Sequence, residues 1–183
     1  GTERCNIGCT RKLLDAAHKA GIAKIVVISS ISAFEECRSV YGKAKLAIEK
    51  IAHERGAMII RPGLIHGDKG GGMFGSLVAQ VEKGGLIPLV SDGSQIQYLV
   101  HEEDLSDLIY RLCAGRIPAP REIITAAHEH GWKFRDILLE IAKARGRKIR
   151  FLPIPWRLLW AVIKTAETAG FPLKFRSDSL VSL

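Results

Sequence analysis

Three side chains that together could move a proton lie close together in the sequence: Ser30, Tyr41 and Lys45. Apolar residues recur at helical spacing over residues 40–51, so a helix is predicted to hold Tyr41 and Lys45 one turn apart. A phenol in isolation titrates near pH ~10, and a lysine cation one turn away favours the phenolate. A serine hydroxyl can fix the same substrate oxygen. The set suits proton transfer to or from an alcohol or ketone, coupled to hydride transfer.

A strand is predicted directly before this helix. Residues 25–28 form a short, apolar, β-branched run without alternation, which is typical of a strand buried on both faces in a parallel sheet. The run ends in Ser29 and Ser30. A hydroxyl at the carboxyl end of a strand is therefore expected to face the phenol and the ammonium on the helix.

Four further stretches occur in the order of a known family. They are Asn6 with residues 9–17, RPGLIHG at 61–67, SDG at 91–93 and VHEEDL at 100–105. With Ser30, Tyr41 and Lys45, they resemble the extended branch of the short-chain dehydrogenases/reductases, the NAD-dependent epimerase/dehydratase family. The resemblance extends over residues 3–115 and is looser beyond them.

The resemblance implies a Ser–Tyr–Lys triad. Tyr41 would be the general acid/base, Lys45 would serve both the phenol and the nicotinamide ribose, and Ser30 would orient the substrate oxygen. Asn6 would support a proton-relay water, and a role as a loop residue or helix cap is an equal alternative. The cofactor would be NAD or NADP, and the substrate a sugar nucleotide or a similar alcohol or ketone.

The resemblance also implies binding residues. Besides Tyr41 and Lys45, those for the cofactor are Ser29, Pro62, Gly63 and Ile65; those for the substrate are Ser32, His66 and Gln97. For Arg61, a structural ion pair is an equal alternative to a role in the site, and His66 is expected to be a loop histidine rather than a catalyst.

Two departures bear on the substrate. The 4,6-dehydratases of the family have an acidic pair where this chain has Ile31 and Ser32, which argues against dehydration. The family often has an arginine near Gln97 to contact a nucleotide-sugar phosphate, and glutamine cannot supply that charge.

The implied fold class is α/β: the C-terminal part of a Rossmann-like doubly wound parallel sheet, plus a small α/β substrate-binding lobe. We assign residues 1–115 to the cofactor domain and 116–183 to the lobe, which is interpreted as incomplete; glycine and prolines at 115–120 mark the boundary. No strand–turn–helix with a glycine-rich turn, which would cradle a pyrophosphate, is present. We therefore interpret the chain as a fragment without the N-terminal half and expect this fragment to be inactive by itself.

Local patterns predict the remaining elements. A first helix would be capped by Thr10, end at Gly21 and bury Leu13, Leu14 and Ala17. Further helices are predicted at residues 76–83, 103–114 and 133–144, with a final one opened by Pro155. Strands are predicted at residues 57–60, 96–100 and 122–125.

Bulk composition is that of a globular protein, with 47% hydrophobic and 25% charged residues. The net charge of +8 fits polyanionic ligands such as dinucleotides and sugar nucleotides. No zinc-site spacing, signal peptide or membrane-length apolar run is present, so we expect no metal and no membrane partner, and a cytoplasmic protein.

A homodimer through the Tyr41 helix is expected. The alternatives are a non-catalytic NAD(P)-binding regulatory or assembly protein and a nucleic-acid-binding module, for which no recognition motif is present.

Overall fold

The computed structural model describes residues 2–68 and 71–168 of the chain. The helices are α1 (Thr2–Lys19), α2 (Val40–Glu54), α3 (Gly72–Lys83), α4 (Glu102–Cys113), α5 (Phe134–Ala144) and α6 (Trp156–Thr168). The strands are β1 (Val26–Ile28), β2 (Met58–Pro62), β3 (Leu64–His66), β4 (Gly85–Val90), β5 (Ile96–His101), β6 (Ile124–Ala126), β7 (Gly131–Lys133) and β8 (Ile149–Ile154).

The described residues form two compact units. The first unit contains residues 2–63 and 102–127, and the second contains most of the remainder. The chain therefore passes between the two units three times, after Gly63, after His101 and after Ala127, where the sequence suggested one boundary at 115. The assignment of cofactor and substrate binding to separate lobes stays a prediction, and residues 169–183 of the proposed lobe lie outside the described part.

The first unit is built on a parallel sheet in the order β1-β2-β6. Val27 is in register with Ile59, and Ile60 with Ile124. Because the strands are parallel, their carboxyl ends lie at one edge of the sheet. Mixed helices and parallel strands confirm the predicted α/β class.

Strand β1 differs from its prediction. Its three residues are only half-buried, where burial on both faces was expected. The strand lies at the edge of the sheet and pairs only with β2 among the described residues. The other edge of β1 has no hydrogen-bonded neighbour in this part of the chain, which explains its partial exposure.

Helices α1 and α2 pack beside each other in the first unit. Leu14 of α1 lies in a core cluster with Ile51 and Ala52 of α2 and Ile59 of β2. The Arg55 guanidinium, just after α2, donates to Asp15 Oδ1 of α1 at 2.7 Å. That hydrogen bond holds the pKa of Asp15 below its usual value.

The start of α1 was predicted wrongly. The helix begins at Thr2, so Thr10 lies in its interior and its hydroxyl donates to the Asn6 carbonyl oxygen at 2.8 Å instead of capping. Leu13 was expected in the core and is 70% exposed, because one step of a helix turns it away from the buried Leu14. The predicted end is confirmed: Gly21 adopts a positive φ of 71° just beyond α1.

The second unit holds two small sheets, in the orders β3-β5-β7 and β4-β8. One face of the parallel β4-β8 pair packs against α3 and α5. The buried side chains of this core are Leu77, Val81, Ile87, Leu89, Ile137, Leu138, Ile141 and Ala142. The helices predicted at 76–83, 103–114 and 133–144 are confirmed as α3, α4 and α5, with starts that differ by up to four residues.

Several strands were missed in the sequence. Residues 64–66 pair in parallel with 99–101, so His66 lies at the end of strand β3 and the expectation of a loop histidine was wrong. Strands β4, β7 and β8 were not predicted either. The final helix begins at Trp156, directly after the predicted opening by Pro155.

Within residues 2–68 and 71–168, no helix is long and apolar enough to cross a bilayer.

The core of the second unit offers a direct test of its packing. Leu138 is 1% exposed, while the adjacent Leu139 on the same helix is 42% exposed. We predict that Leu138→Ala lowers the free energy of unfolding by about 2–5 kcal/mol through lost burial and a cavity. Leu139→Ala, the matched control, should change it by less than about 1 kcal/mol. Urea denaturation measures both; similar losses for the two variants would contradict this core.

Candidate active site

The N-terminus of α2 fixes the predicted proton-transfer residues. The Ser39 side chain caps the helix by accepting from the Gly42 N–H at 3.0 Å. Gly42 itself is buried against the loop that follows β1. A Cβ atom at Gly42 would lie 2.5 Å from the Ser32 carbonyl oxygen and 2.8 Å from the Cys37 sulfur. Only glycine lets the helix and the serine-containing loop approach so closely.

Tyr41 and Lys45 lie one turn apart on α2, as the spacing predicted. The Tyr41 side chain is 54% exposed, and Lys45 Nζ is 5.7 Å from the centroid of its ring. The Lys45 ammonium also donates to the carbonyl oxygen of Ile28, the last residue of β1, at 3.0 Å. An accessible phenol and a cation are thus held together at the carboxyl end of the strand.

The electrostatics of Lys45 have two opposed causes. Partial burial lowers the pKa of this lysine, because a charged ammonium loses hydration there. The negative charge of Glu49, one turn further along α2, acts in the opposite direction and raises the pKa. Glu49 therefore favours the charged form of Lys45.

The serines after β1 have different environments. The Ser29 hydroxyl is buried and donates to Glu49 Oε1 at 2.5 Å. Ser30 is half-buried, and its Oγ accepts from the Ser32 N–H at 3.1 Å. That bond fixes the Ser30 oxygen and leaves its O–H proton as a donor. The predicted cofactor contact of Ser29 stays a prediction, and its hydroxyl proton is already used by Glu49.

A buried ion pair joins α2 to β2. Glu49 is 4% exposed and accepts from Arg61 Nε at 2.8 Å and from Arg61 Nη2 at 2.6 Å. These bonds raise the pKa of Arg61. Of the two alternatives for Arg61, the structure has the ion pair. Glu49 was missed in the sequence; its position four residues after Lys45, beside the apolar Ile48, was the available signal.

The main chain around Pro62 and Gly63 lies at the same strand ends. The Pro62 carbonyl oxygen accepts from the Ile31 N–H at 3.1 Å, and the Gly63 N–H donates to the Ala126 carbonyl oxygen at 3.0 Å. These bonds extend the pairing of the parallel strands beyond their ends. Ser30, next to Ile31, is thereby held beside the end of β2.

The other predicted site residues fall elsewhere. Asn6 is exposed within α1, so it is neither a loop residue nor an N-cap. Ile65, His66 and Gln97 belong to the second unit. His66 makes an edge-on contact with His101 at 5.1 Å between ring centroids, and Gln97 is in register with Trp132 of β7. Their binding roles stay predictions.

The arrangement in the first unit, an accessible phenol beside an ammonium and a serine at the ends of parallel strands, is typical of proton transfer next to a nucleotide-binding edge. The family model of the NAD dependent epimerase/dehydratase family matches residues 1–124. The chain belongs to this family, as its motifs predicted.

Individual relatives are distant. The chain is 23% identical over 174 residues to N-acetyl-alpha-D-glucosaminyl-diphospho-ditrans,octacis-undecaprenol 4-epimerase of Escherichia coli O157:H7, covering 84% of this chain and 52% of that protein. MoeE5 in complex with UDP-glucose and NAD has a similar fold, with a TM-score of 0.66 and 20% identity over 83% of this chain and 58% of that one.

A third relative is the UDP-glucose 4-epimerase of Thermus thermophilus in complex with NAD. Its TM-score is 0.63 at 22% identity, over 80% of this chain and 56% of that one. These likenesses confirm the Rossmann-like fold. The chain spans only a little over half the length of these relatives.

The close approach at Gly42 can be tested by adding one methyl group. We predict that Gly42→Ala destabilises the protein by about 1–3 kcal/mol, because the new Cβ collides with backbone at Ser32. Gly8→Ala, in the interior of α1 with nothing within 4 Å of its Cβ position, is the matched control. It should stabilise by about 0.5–1 kcal/mol. Thermal or urea unfolding decides; a gain at both positions would refute the close packing.

Proposed function

We propose that the protein carrying this chain is an NAD(P)-dependent epimerase or oxidoreductase that acts at a carbinol carbon of a nucleotide sugar or a similar alcohol or ketone. One observation carries the proposal: the exposed phenol of Tyr41 lies beside the Lys45 ammonium, which is anchored to the end of β1. A tyrosine without a chemical role has no need of such a partner at a strand end.

The residues present suit the nicotinamide end of a dinucleotide. Open α/β sheets bind ligands at the carboxyl ends of their strands, and the main chain of Pro62 and Gly63 lies at these ends. Lys45 would hold the nicotinamide ribose, since an ammonium has three donors and Ile28 occupies one. The bound nicotinamide would supply the hydride acceptor and donor.

The protein's own residues would move and position the proton. The Tyr41 oxygen would take the proton from the substrate hydroxyl during oxidation and return it during reduction. The charge of Lys45 would stabilise the tyrosine oxygen in its deprotonated state. Ser30, whose oxygen is fixed by the Ser32 N–H, would donate its own proton to the same substrate oxygen. Asn6 remains a proposed support of a relay water.

Two relatives support a sugar nucleotide as the substrate. One structure is a complex of MoeE5 with UDP-glucose and NAD, and the other is a UDP-glucose 4-epimerase with NAD. The net charge of +8 is consistent with a polyanionic ligand. Ile31 and Ser32, in place of an acidic pair, favour epimerisation or simple oxidoreduction over dehydration. Ser32, His66 and Gln97 are the proposed substrate contacts, and Ser29 and Ile65 further cofactor contacts.

We further propose a homodimer through α2 and the adjoining α1. Leu13, exposed to 70% on α1, supports an apolar contact at this surface. We expect sedimentation equilibrium to give a dimer mass for the wild type and a monomer mass for Leu13→Glu. Leu139→Glu, at another exposed leucine, should stay dimeric; a monomeric wild type would contradict the proposal.

The cytoplasmic location of the protein stays a prediction.

The catalytic assignment is tested by Tyr41→Phe in the full-length protein that carries this chain, a change that removes one oxygen atom. We expect NAD-dependent turnover of UDP-glucose to fall by at least about 100-fold, because general acid–base catalysis supplies about that factor or more. Affinity for NAD should change by only a few fold, since the ring remains. Steady-state kinetics and fluorescence titration of NAD measure the two quantities.

Lys45→Met provides the contrast. The lysine would serve the ribose and the phenol at once, so this variant should weaken NAD binding as well as turnover. Tyr41→Phe with near wild-type turnover would exclude the catalytic role. If the wild type binds NAD and no nucleotide-sugar conversion is found, the non-catalytic binding protein becomes the better interpretation.

A further inference from the structure

Glu49 is a buried charged side chain that the proposed chemistry does not use. It lies on α2 one turn beyond Lys45 and is 4% exposed. Burying a carboxylate costs several kcal/mol unless it is paired and hydrogen-bonded. The contacts of Glu49 therefore indicate what the carboxylate is positioned to do.

Three hydrogen bonds converge on the Glu49 carboxylate. Oε1 accepts from the Ser29 hydroxyl at 2.5 Å and from Arg61 Nε at 2.8 Å, and Oε2 accepts from Arg61 Nη2 at 2.6 Å. Ser29 directly follows β1, and Arg61 is the residue before Pro62 at the end of β2. One side chain of the helix thus contacts the carboxyl ends of two neighbouring strands.

The same carboxylate acts on Lys45. The Lys45 ammonium is held at the Ile28 carbonyl oxygen, one residue before Ser29. Burial disfavours its charge and Glu49 favours it. Glu49 therefore contacts both strand ends and places a negative charge one turn from Lys45.

Stability is a weak reason for this arrangement, since replacing a whole buried ion pair by apolar residues of similar volume is often neutral or stabilising. Removal of one partner alone, by contrast, leaves an unpaired buried charge and is strongly destabilising.

We propose that Glu49 is a positioning residue: through Ser29 and Arg61 it fixes the strand ends that carry Ser30 and Pro62, and it places a negative charge one turn along α2 from Lys45. The inference rests on the proposed function for what Tyr41 and Lys45 do. The contacts of Glu49 and its effect on Lys45 stand without it.

The test is the titration of Lys45, followed by NMR in purified protein containing ¹³C,¹⁵N-labelled lysine. The Lys45 signal is assigned by its loss in Lys45→Arg. We expect a lower titration midpoint in Glu49→Gln than in the wild type. Glu54→Gln removes an exposed carboxylate from the same helix and is the matched control; it should leave the midpoint unchanged. A folded Glu49→Gln protein with the wild-type midpoint would overturn the proposal.

A second variant covers the case in which Glu49→Gln alone fails to fold because Arg61 is left with an unpaired charge. The double variant Glu49→Gln/Arg61→Gln removes both charges and keeps hydrogen-bonding groups. Its Lys45 midpoint should be lower than that of Arg61→Gln alone, because these two proteins differ only in the charge at position 49. Equal midpoints in Arg61→Gln and the double variant overturn the proposal equally.

Kinetics separate positioning from a merely structural role. We expect kcat of Glu49→Gln to fall by about 100-fold, as for a small misplacement of reacting groups, with the substrate KM nearly unchanged and partial rescue by Glu49→Asp. A full-length protein carrying this chain but without NAD-dependent turnover would refute the proposed function, while the Lys45 midpoint would still decide the role of Glu49. A wild-type kcat in Glu49→Gln overturns the positioning role.

Discussion

A carboxylate removed from water sets the strictest physical requirement in the first unit. Glu49 can be buried only if donors reach it from several directions, and they come from the segments that end β1 and β2. Helix α2 must therefore lie across these strand ends at a fixed height and rotation. Lys45 and Tyr41, one and two turns earlier on the same helix, are placed by the same contacts.

A second constraint acts at the other end of the helix. Gly42 allows the first turn of α2 to lie against the Ser32 carbonyl oxygen, and Ser39 caps that turn. The helix thus contacts the loop at its first turn and is ion-paired to strand β2 through Glu49, two turns later. These two contacts leave it little freedom to slide. Such rigidity is what a proton-transfer site needs from its scaffold.

The parts of the fold that were predicted from the sequence are those with local signals. The period of apolar residues around Tyr41 indicated α2, and the β-branched run before Ser29 indicated β1, although not its exposure. Glu49 was overlooked because a polar residue on an amphipathic helix is ordinarily solvated, and its burial depends on Arg61, which is distant in sequence. The spacing of Glu49 from Lys45 was the available local signal, but that spacing does not distinguish a buried pair from two exposed residues.

The missed elements have similar causes. Strand β8 contains Pro153, which argues against a strand interior and is tolerated here in a two-stranded sheet. Its partner β4 begins with Gly85, and glycine is depleted in strands. The start of α1 was placed too late because Asn6 and Gly8 are poor helix formers. Site roles that rested on family resemblance, such as those of Ile65 and Gln97, involve the second unit and could not be derived from spacing within the first.

The parallel pairing of β2 with β6 has a consequence for the order of folding. Ile60 pairs with Ile124, so the loop closed by this contact contains all of residues 64–101, which belong to the other unit. Contacts between residues so distant in sequence form slowly. On the ribosome, the first sheet must wait for β6 to emerge, a delay on the order of seconds at usual rates of synthesis. During that interval β2 has an unpaired edge, which can pair with another chain.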